Sequence, residues 1–235
     1  MNWQDEGFLL SKIKFRENAN IINVFTQKYG KVSGIVYGGN SRKVRNHLQI
    51  ANKIVVFHTS KSESKMGYFK TELLEAISPR FFNDKKITSA LLSLSSILNV
   101  LLPEAQPYKK IFKSINSFID ELNNNNWILS YNFWELNLLK ELGYDPFLDQ
   151  FKKDLKQTNS NNISILIDNT KYLVPKFLIE KNLNKNFNDK DVSVGLNFTR
   201  NLLLNKFFLP NNLIFPKTRI ILENYFNWFE ISNAK

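Results

Sequence analysis

The chain of 235 residues contains no cysteine and only two histidines, His47 and His58. Without thiols it cannot form disulfide bonds, thiolate metal sites or a cysteine nucleophile, which fits a reducing cytoplasm. Neither histidine stands in a metal-binding spacing such as H-E-x-x-H, and His58 alternates with Ile54 and Val56 as a strand residue does. We therefore expect no catalytic residue, no metal or other cofactor, and no enzymatic activity.

A long hydrophobic run is also missing. The longest apolar-leaning stretch, residues 90–102, contains three serines and is stopped by Pro103, whereas a membrane-spanning helix needs about 20 apolar residues. This stretch therefore predicts a core helix. Residues 1–6 carry two acids and no basic residue, which is not typical of a secretory signal. We expect a cytoplasmic, nucleoid-associated protein that does not enter a membrane.

Acidic residues are outnumbered, because 21 Asp and Glu stand against 32 Lys and Arg, giving a formal net charge of +11 at pH 7. Residues 1–80 hold 13 basic and 6 acidic residues, an excess of 7, and residues 81–235 hold 19 and 15, an excess of 4. A basic excess favours polyanionic partners, chiefly nucleic acid. We expect such a partner to bind the first third of the chain.

Short strand-like runs separated by turn signals fill the first 80 residues. They are rich in Ile, Val, Phe, Leu and Thr and cover residues 6–13, 20–26, 31–37, 52–59 and 68–77. Five short strands predict a small closed barrel, because closure removes exposed sheet edges. The longest gap, residues 38–49, has room for a helical turn between strands three and four. This order favours an OB-fold, while the pattern alone also fits an SH3-like barrel.

After Ser78-Pro79 the apolar spacing becomes that of amphipathic helices. The predicted helices cover residues 90–102, 107–122, 127–142, 192–209 and 218–229, and Gly143 is placed as the C-cap of the third. Residues 151–190 have a weak, polar pattern, and we expect them to be irregular. The predicted fold class is α+β: a five-stranded OB-fold β-barrel over residues 1–80, followed by a mainly α-helical domain over residues 81–235.

Backbone flexibility and positive charge meet in one segment, where Gly38 and Gly39 precede Arg42, Lys43 and Arg45. Guanidinium donors on a pliant backbone suit phosphate contacts, although a solvated turn has the same composition. The predicted DNA-binding set is Lys12, Lys14, Arg16, Lys28, Lys31, Arg42, Lys43, Arg45 and Lys53.

Aromatic residues are interleaved with these cations, and three of them are candidates for base stacking: Phe15, Tyr29 and Tyr37. OB-folds hold single strands by combining a basic groove with aromatic rings on which bases stack. A barrel this small also needs large side chains in its interior, so each ring has a structural alternative.

Two blocks of the sequence resemble a known family. The first comprises WQDEGFLLS from Trp3, ENANIINVFT from Glu17, YGK from Tyr29 and GIVYGG from Gly34; the second is FWELNLLKELGY from Phe133. In this order they resemble RecO, a family of bacterial recombination mediators. The resemblance implies an N-terminal OB-fold, a helical C-terminal domain, binding of single- and double-stranded DNA without sequence specificity, strand annealing, and assistance to recombinase loading.

The resemblance also implies partners and a metal. The implied partners are RecR, single-stranded-DNA-binding protein and, indirectly, RecA. Many RecO proteins carry a four-cysteine zinc motif after the Gly-Tyr pair, here Gly143-Tyr144, but residues 151–181 contain no cysteine. Zinc is therefore expected to be absent from this subregion.

Two other functions would use the same basic face. An RNA-binding OB-fold protein would differ in its response to the 2′-OH group. A protein-binding adaptor would dock its partner on the helical domain and use the charge only for steering, with negligible DNA affinity at moderate salt. Both alternatives stay open at the level of the sequence.

Overall fold

The computed structural model describes residues 2–38, 41–60, 66–157, 160–182 and 187–227. The chain divides into two compact units. The first comprises Met1–Phe112 with Pro216–Arg219, and the second comprises Lys113–Phe215 with Ile220–Lys235. Each unit is described by itself below.

The first unit contains a closed barrel of five strands: β1 (Asn2–Arg16), β2 (Ala19–Thr26), β3 (Gly30–Tyr37), β4 (Lys53–Thr59) and β5 (Gly67–Glu75). Around the barrel the strand order is β1-β2-β3-β5-β4, and β3 pairs with β5 in parallel. Helix α1 (Arg42–His47) connects β3 to β4. This is the arrangement of an OB-fold, so the predicted strand number and the α+β class are confirmed.

Alternate residues of the strands fill the barrel with apolar side chains: Leu9, Ile22, Val24, Val36, Ile54, Val56 and Phe69, joined by Leu48 from the segment after α1. Strand β1 is long enough to serve two neighbours, pairing with β4 through its first half and with β2 through its second. A register shift between Leu9 and Ser11 separates the two halves. Such a bulge bends a strand, which lets β1 curve around a small barrel.

Among the described residues, the barrel closes along two residue pairs between β3 and β5, Gly34 with Gly67 and Ile35 with Tyr68. A Cβ atom on Gly34 would lie 2.7 Å from ring carbons of Phe69, which is buried in the core. A Cβ atom on Gly67 would lie 2.0 Å from Nε2 of His58. Because interiors are close-packed, a side chain at Gly34 would push β3 away from β5, and one at Gly67 would displace His58 of β4.

Helix α2 (Lys85–Leu101) packs against the barrel in the same unit. It begins at Asp84, whose carboxylate accepts the N–H groups of Lys86 and Ile87. The segment after the helix adds to the sheet, because the N–H of Ala105 donates to the carbonyl of Lys31 over 2.9 Å. Strands give way to helices near residue 80, but the compact unit continues to Phe112. The division into domains at residue 80 therefore stays a prediction.

The second unit is mainly helical. It contains most of α3 (Lys109–Glu121), then α4 (Trp127–Glu141), α5 (Lys176–Glu180) and α6 (Asp189–Leu203). The helices predicted over residues 90–102, 107–122 and 127–142 are confirmed as α2, α3 and α4, with α2 beginning about one turn earlier. Gly143 follows α4 with a positive φ of 98°, as a C-cap glycine does.

The structure corrects the expectation of an irregular region over residues 151–190. Strands β6 (Asn162–Ile167) and β7 (Thr170–Pro175) form an antiparallel hairpin there, and α5 follows directly. Its two-residue turn, Asp168 and Asn169, has positive φ at both positions, as a type I′ hairpin turn requires. Every second residue of β6 is buried: Ile163, Ile165 and Ile167.

The helix predicted over residues 192–209 is α6 continued by a π-helical turn, Leu204–Phe208. The last helix, α7 (Lys217–Asn224), is shorter than the predicted 218–229, and the final two predicted positions, Trp228 and Phe229, lie outside the described residues. Within the described ranges, no helix is both long enough and apolar enough to cross a membrane.

We expect Gly34→Ala to lower the free energy of unfolding by about 1–3 kcal/mol, because the added methyl group meets the Phe69 ring and overpacking a core costs about that much. Urea unfolding followed by circular dichroism measures the change. Gln4→Ala, at an exposed position of β1, is the matched control and should alter the stability by less than about 0.5 kcal/mol. Equal stabilities of the two variants would contradict this account of barrel closure.

Candidate nucleic-acid interface

The tip of the β1–β2 hairpin, the end of β3 and the start of the α1 connection meet at one end of the barrel, here called the hairpin end. Ala19 pairs with Tyr37 at the margin of the sheet. The N–H of Gly38 donates to the carbonyl of Asn18, in the hairpin turn, over 2.8 Å. Basic residues from β1 and from α1, which are far apart in sequence, are thus brought to the same end.

Three predicted cations follow β1 toward the hairpin end. The ammonium of Lys12 donates to the carbonyl of Leu48 over 2.8 Å, which ties the segment after α1 to β1. Lys14 and Arg16 lie further along the strand and are exposed. The guanidinium carbon of Arg16 is 5.1 Å from the centre of the Phe15 ring. Lys14 and Arg16 therefore present positive charge to solvent beside an aromatic ring.

The cations predicted after Gly39 belong to helix α1. Gly39 and Asn40, and the side chains of Arg42, Lys43 and Arg45, lie outside the described residues. Helix α1 starts where the Ser41 hydroxyl accepts the N–H of Val44, and it is followed by the buried Leu48. That these three residues bind phosphate stays a prediction, now placed on a short helix at the hairpin end.

Lys31, one of the predicted DNA-binding residues, is buried, and its role in DNA binding stays a prediction. Its side chain is buried, with a relative exposure of 9% for the residue, and its ammonium donates to the carbonyl of Asn99 over 2.9 Å. This carbonyl lies in the last turn of α2, where helices leave carbonyls without intrahelical partners. Burial lowers the pKa of Lys31, and nearby Glu104 partly offsets that effect. Lys31 therefore caps a helix.

Lys53, also in the predicted set, has contacts of a similar kind, and its role in DNA binding likewise stays a prediction. Its ammonium forms an ion pair with Glu6 at 3.2 Å, and the side chain is largely buried. It also lies over two aromatic rings, 5.7 Å from the centre of Phe8 and 5.5 Å from that of Phe112. These contacts use its charge within the first unit.

Lys28 and Tyr29 lie in the β2–β3 turn, away from the hairpin end. Tyr29 stacks on Trp3 at the beginning of β1, with ring centres 4.2 Å apart. Phe15 lies twelve residues further along the same strand, a path of about 40 Å at the usual rise per residue. Lys28 is exposed. Lys28 and Tyr29 thus belong to a different turn from Arg16 and Phe15, and their role in DNA binding stays a prediction.

The hairpin end does carry exposed aromatic rings. Phe15 is 44% exposed and Tyr37 is 55% exposed, so the alternative that these rings belong to the barrel core is set aside for both. A third ring, Tyr68 on β5, was not among the predicted residues; it is 46% exposed and stacks on Tyr37 with ring centres 5.5 Å apart. Tyr68 reaches this place through the parallel pairing of β3 with β5. A non-local pairing of this kind leaves no signal in local sequence.

A groove of about 780 Å³ lies between the end of β3, helix α1 and β5. It is called the β3–β5 groove below. Its lining is apolar along one part and polar along another: Val36, Tyr37, Val44, Asn46, His47, Phe69, Lys70, Thr71, Glu72 and Leu73. Sites that hold small ligands in proteins measure about 300–1,000 Å³, so its size suits a small ring system.

The second unit has a cleft of its own, of about 610 Å³, between α3, α4 and the segment after α4. Phe118, Phe133 and Trp134 are among its apolar residues. Ion pairs lie at its margin, Lys140 with Asp145 at 2.9 Å and Lys181 with Asp149 at 2.6 Å. The hydrogen bond from Lys140 lowers the pKa of Asp145, and the bonds from Lys152 and Lys181 lower that of Asp149 to about 2.

Comparison with known proteins decides the family. Residues 1–77 match the family model for the N-terminal part of recombination protein O, and residues 83–166 match the model for its C-terminal part. The chain belongs to the RecO family. Its role is therefore in DNA repair and recombination, and the first of the two models covers the barrel and the hairpin end.

Individual relatives agree with this assignment. A protein named DNA repair protein RecO from Wolbachia sp. subsp. Drosophila simulans (strain wRi) is 27% identical over 94% of this chain and 99% of its own length. A protein of the same name from Ruegeria sp. (strain TM1040) is 32% identical over 61% of this chain and 60% of its own. Both are named as repair proteins.

The residues present do not fit the zinc site that many RecO proteins carry. The sequence has no thiol, and its two histidines both belong to the barrel unit rather than to residues 151–181. In the ranges that the structure describes, no group of three or more His, Asp or Glu side chains is arranged to hold a metal ion. That the protein lacks zinc and has no catalytic activity stays a prediction.

We expect Lys31→Met to lower the free energy of unfolding by about 1–3 kcal/mol, because the partly buried carbonyl of Asn99 loses its charged donor. The affinity of the folded variant for single-stranded DNA should stay unchanged. Chemical unfolding and a DNA titration at fixed salt measure the two quantities. Lys28→Met, at an exposed turn position, is the control for stability. A folded Lys31→Met variant with weakened DNA binding would place Lys31 in the interface.

Proposed function

We propose that the protein binds single- and double-stranded DNA without sequence specificity through the hairpin end of the barrel. One observation carries the proposal: Lys14 and Arg16 are exposed there, next to the exposed Phe15 and Tyr37 and to the helix that carries Arg42, Lys43 and Arg45. Permanent charges on an exposed strand and a helix suit phosphates, which every nucleotide presents. The family's place in DNA repair supports DNA as the natural polyanion.

In this proposal, binding comes from the phosphate backbone rather than from reading bases. Each phosphate that a Lys or Arg neutralises releases condensed counterions, so the affinity falls steeply as salt rises. Lys31 and Lys53 contribute nothing to that dependence, because their charges are used inside the first unit. The interface is thus smaller than the count of basic residues in the barrel suggests.

We further propose that the protein anneals complementary strands and helps load the recombinase RecA, working with RecR and with single-stranded-DNA-binding protein. Binding that ignores base identity lets two strands be held while they search for pairing. The absence of base readout is therefore an advantage for annealing. These partners are inferred from the family to which the chain belongs, and family membership is the support for them.

We expect the double variant Lys14→Ala, Arg16→Ala to bind single-stranded DNA more weakly. The slope of log affinity against log salt should become shallower by about 1.4, since each phosphate contact on a single strand contributes about 0.7. Fluorescence anisotropy over a salt series measures both. Lys153→Ala with Lys171→Ala, two exposed lysines of the second unit, removes the same charge elsewhere and should leave the slope unchanged. Equal effects of the two double variants would disprove the assignment to the hairpin end.

A strand-annealing assay tests two parts of the proposal together: the binding of DNA strands and the action on DNA coated with single-stranded-DNA-binding protein. Wild-type protein should accelerate the pairing of complementary strands, both bare and coated with single-stranded-DNA-binding protein, and the Lys14→Ala, Arg16→Ala variant should be slower in both assays. Competition between DNA and RNA strands of equal sequence separates the RNA-binding alternative. Preference for RNA, or negligible DNA binding at moderate salt, would contradict the proposed function.

A further inference from the structure

The β3–β5 groove lies next to the pairing of β3 with β5, which in the described part of the chain comprises Gly34 with Gly67 and Ile35 with Tyr68. The groove is lined by the end of β3, by helix α1 and by β5 beyond these pairs. Val36, Val44 and Phe69 give the groove an apolar floor that continues the barrel core. His47 and Thr71, whose Nε2 and Oγ1 atoms are 2.9 Å apart, add a polar pair among the lining residues.

Two stacked tyrosines lie beside this groove. Tyr37 lines the groove, and Tyr68 stacks on it with an angle of 27° between the rings. Both rings are about half exposed, 55% and 46%. Flat rings that remain open to solvent next to an apolar groove are the features on which proteins stack unpaired bases.

The positive excess next to the groove comes from helix α1, and it favours an anionic chain. Helix α1, which lines the groove through Val44 and His47, also carries Arg42, Lys43 and Arg45. Lys70 and Glu72 both line the groove, with Nζ and Oε1 3.7 Å apart, and the Lys70 ammonium also lies 5.7 Å from the centre of the Phe57 ring on β4, so this pair adds no net charge. A single-stranded nucleic acid supplies both parts of such a ligand. Its uncharged bases can enter the groove, and its phosphates can contact the cations at the margin.

We propose that the β3–β5 groove holds an unstacked base of single-stranded DNA, with Tyr37 and Tyr68 as its stacking platform. The inference rests on the proposed function and extends it: the hairpin end distinguishes single strands from duplexes. In a duplex the bases are paired and stacked on one another. The cations of the hairpin end can therefore contact only the phosphates of a duplex. Tyr68 is then a residue that determines strand selectivity, without reading sequence.

The experiment compares three ligands of equal length and phosphate number per strand: oligothymidylate, the same strand with alternate bases removed, and a duplex. Wild-type protein should bind the base-depleted strand roughly tenfold more weakly than oligothymidylate, the loss expected for stacked bases. Tyr68→Ala should lose affinity for oligothymidylate by a similar factor and no longer distinguish it from the base-depleted strand. Its duplex affinity should stay within about twofold of wild type, because phosphate contacts are intact.

Control variants distinguish the loss of the Tyr68 ring from an effect on folding. Tyr68→Phe keeps the ring and should behave as wild type, and Tyr225→Ala removes an exposed ring from the second unit and should keep the discrimination. If wild-type protein binds oligothymidylate and the base-depleted strand equally, the groove inference is overturned while the proposed function stands. If wild-type protein binds none of the three ligands, the proposed function itself fails. The comparison on wild-type protein needs no variant to fold.

Discussion

The short parallel contact between β3 and β5 is the constraint on which the rest of the first unit depends. Gly34 and Gly67 allow it, since the Phe69 and His58 rings occupy the space that their side chains would need. The contact closes the barrel, brings Tyr68 beside Tyr37, and lies next to the β3–β5 groove. A longer pairing would have filled the groove with backbone hydrogen bonds, and no pairing would have left an open sheet edge.

The lysines of the barrel show how burial sorts residues of one type into two roles. Lys31 and Lys53 lie where water is excluded, so their ammonium groups need fixed partners: a helix carbonyl for one, a carboxylate and two rings for the other. Lys14 and Arg16 are exposed to solvent, so their charges are accessible to a ligand. Net charge therefore indicates the class of partner, but the position of each charge decides which residues meet it.

Much of the fold could be predicted from the sequence, because it follows from local patterns. Period-2 alternation marked the five strands, and the change after Ser78-Pro79 marked α2, α3 and α4. The hairpin β6–β7 was missed because Asn and Lys surround a short alternation at Ile163, and its Asp-Asn turn carries no glycine. The candidate site was less predictable: the burial of Lys31 requires α2 to dock on the barrel, and the place of Tyr68 requires a pairing between residues far apart in sequence.

The central claim is that the hairpin end of the barrel meets the bases of single-stranded DNA. Photo-crosslinking with an oligonucleotide containing 5-iodouracil, followed by mass spectrometry of the crosslinked peptides, tests it on the unmodified protein. The account predicts crosslinks to Tyr37 and Tyr68, with competition by unlabelled single strands and much weaker crosslinking of the paired duplex. Crosslinks confined to Trp3 and Tyr29, or to the second unit, would contradict it.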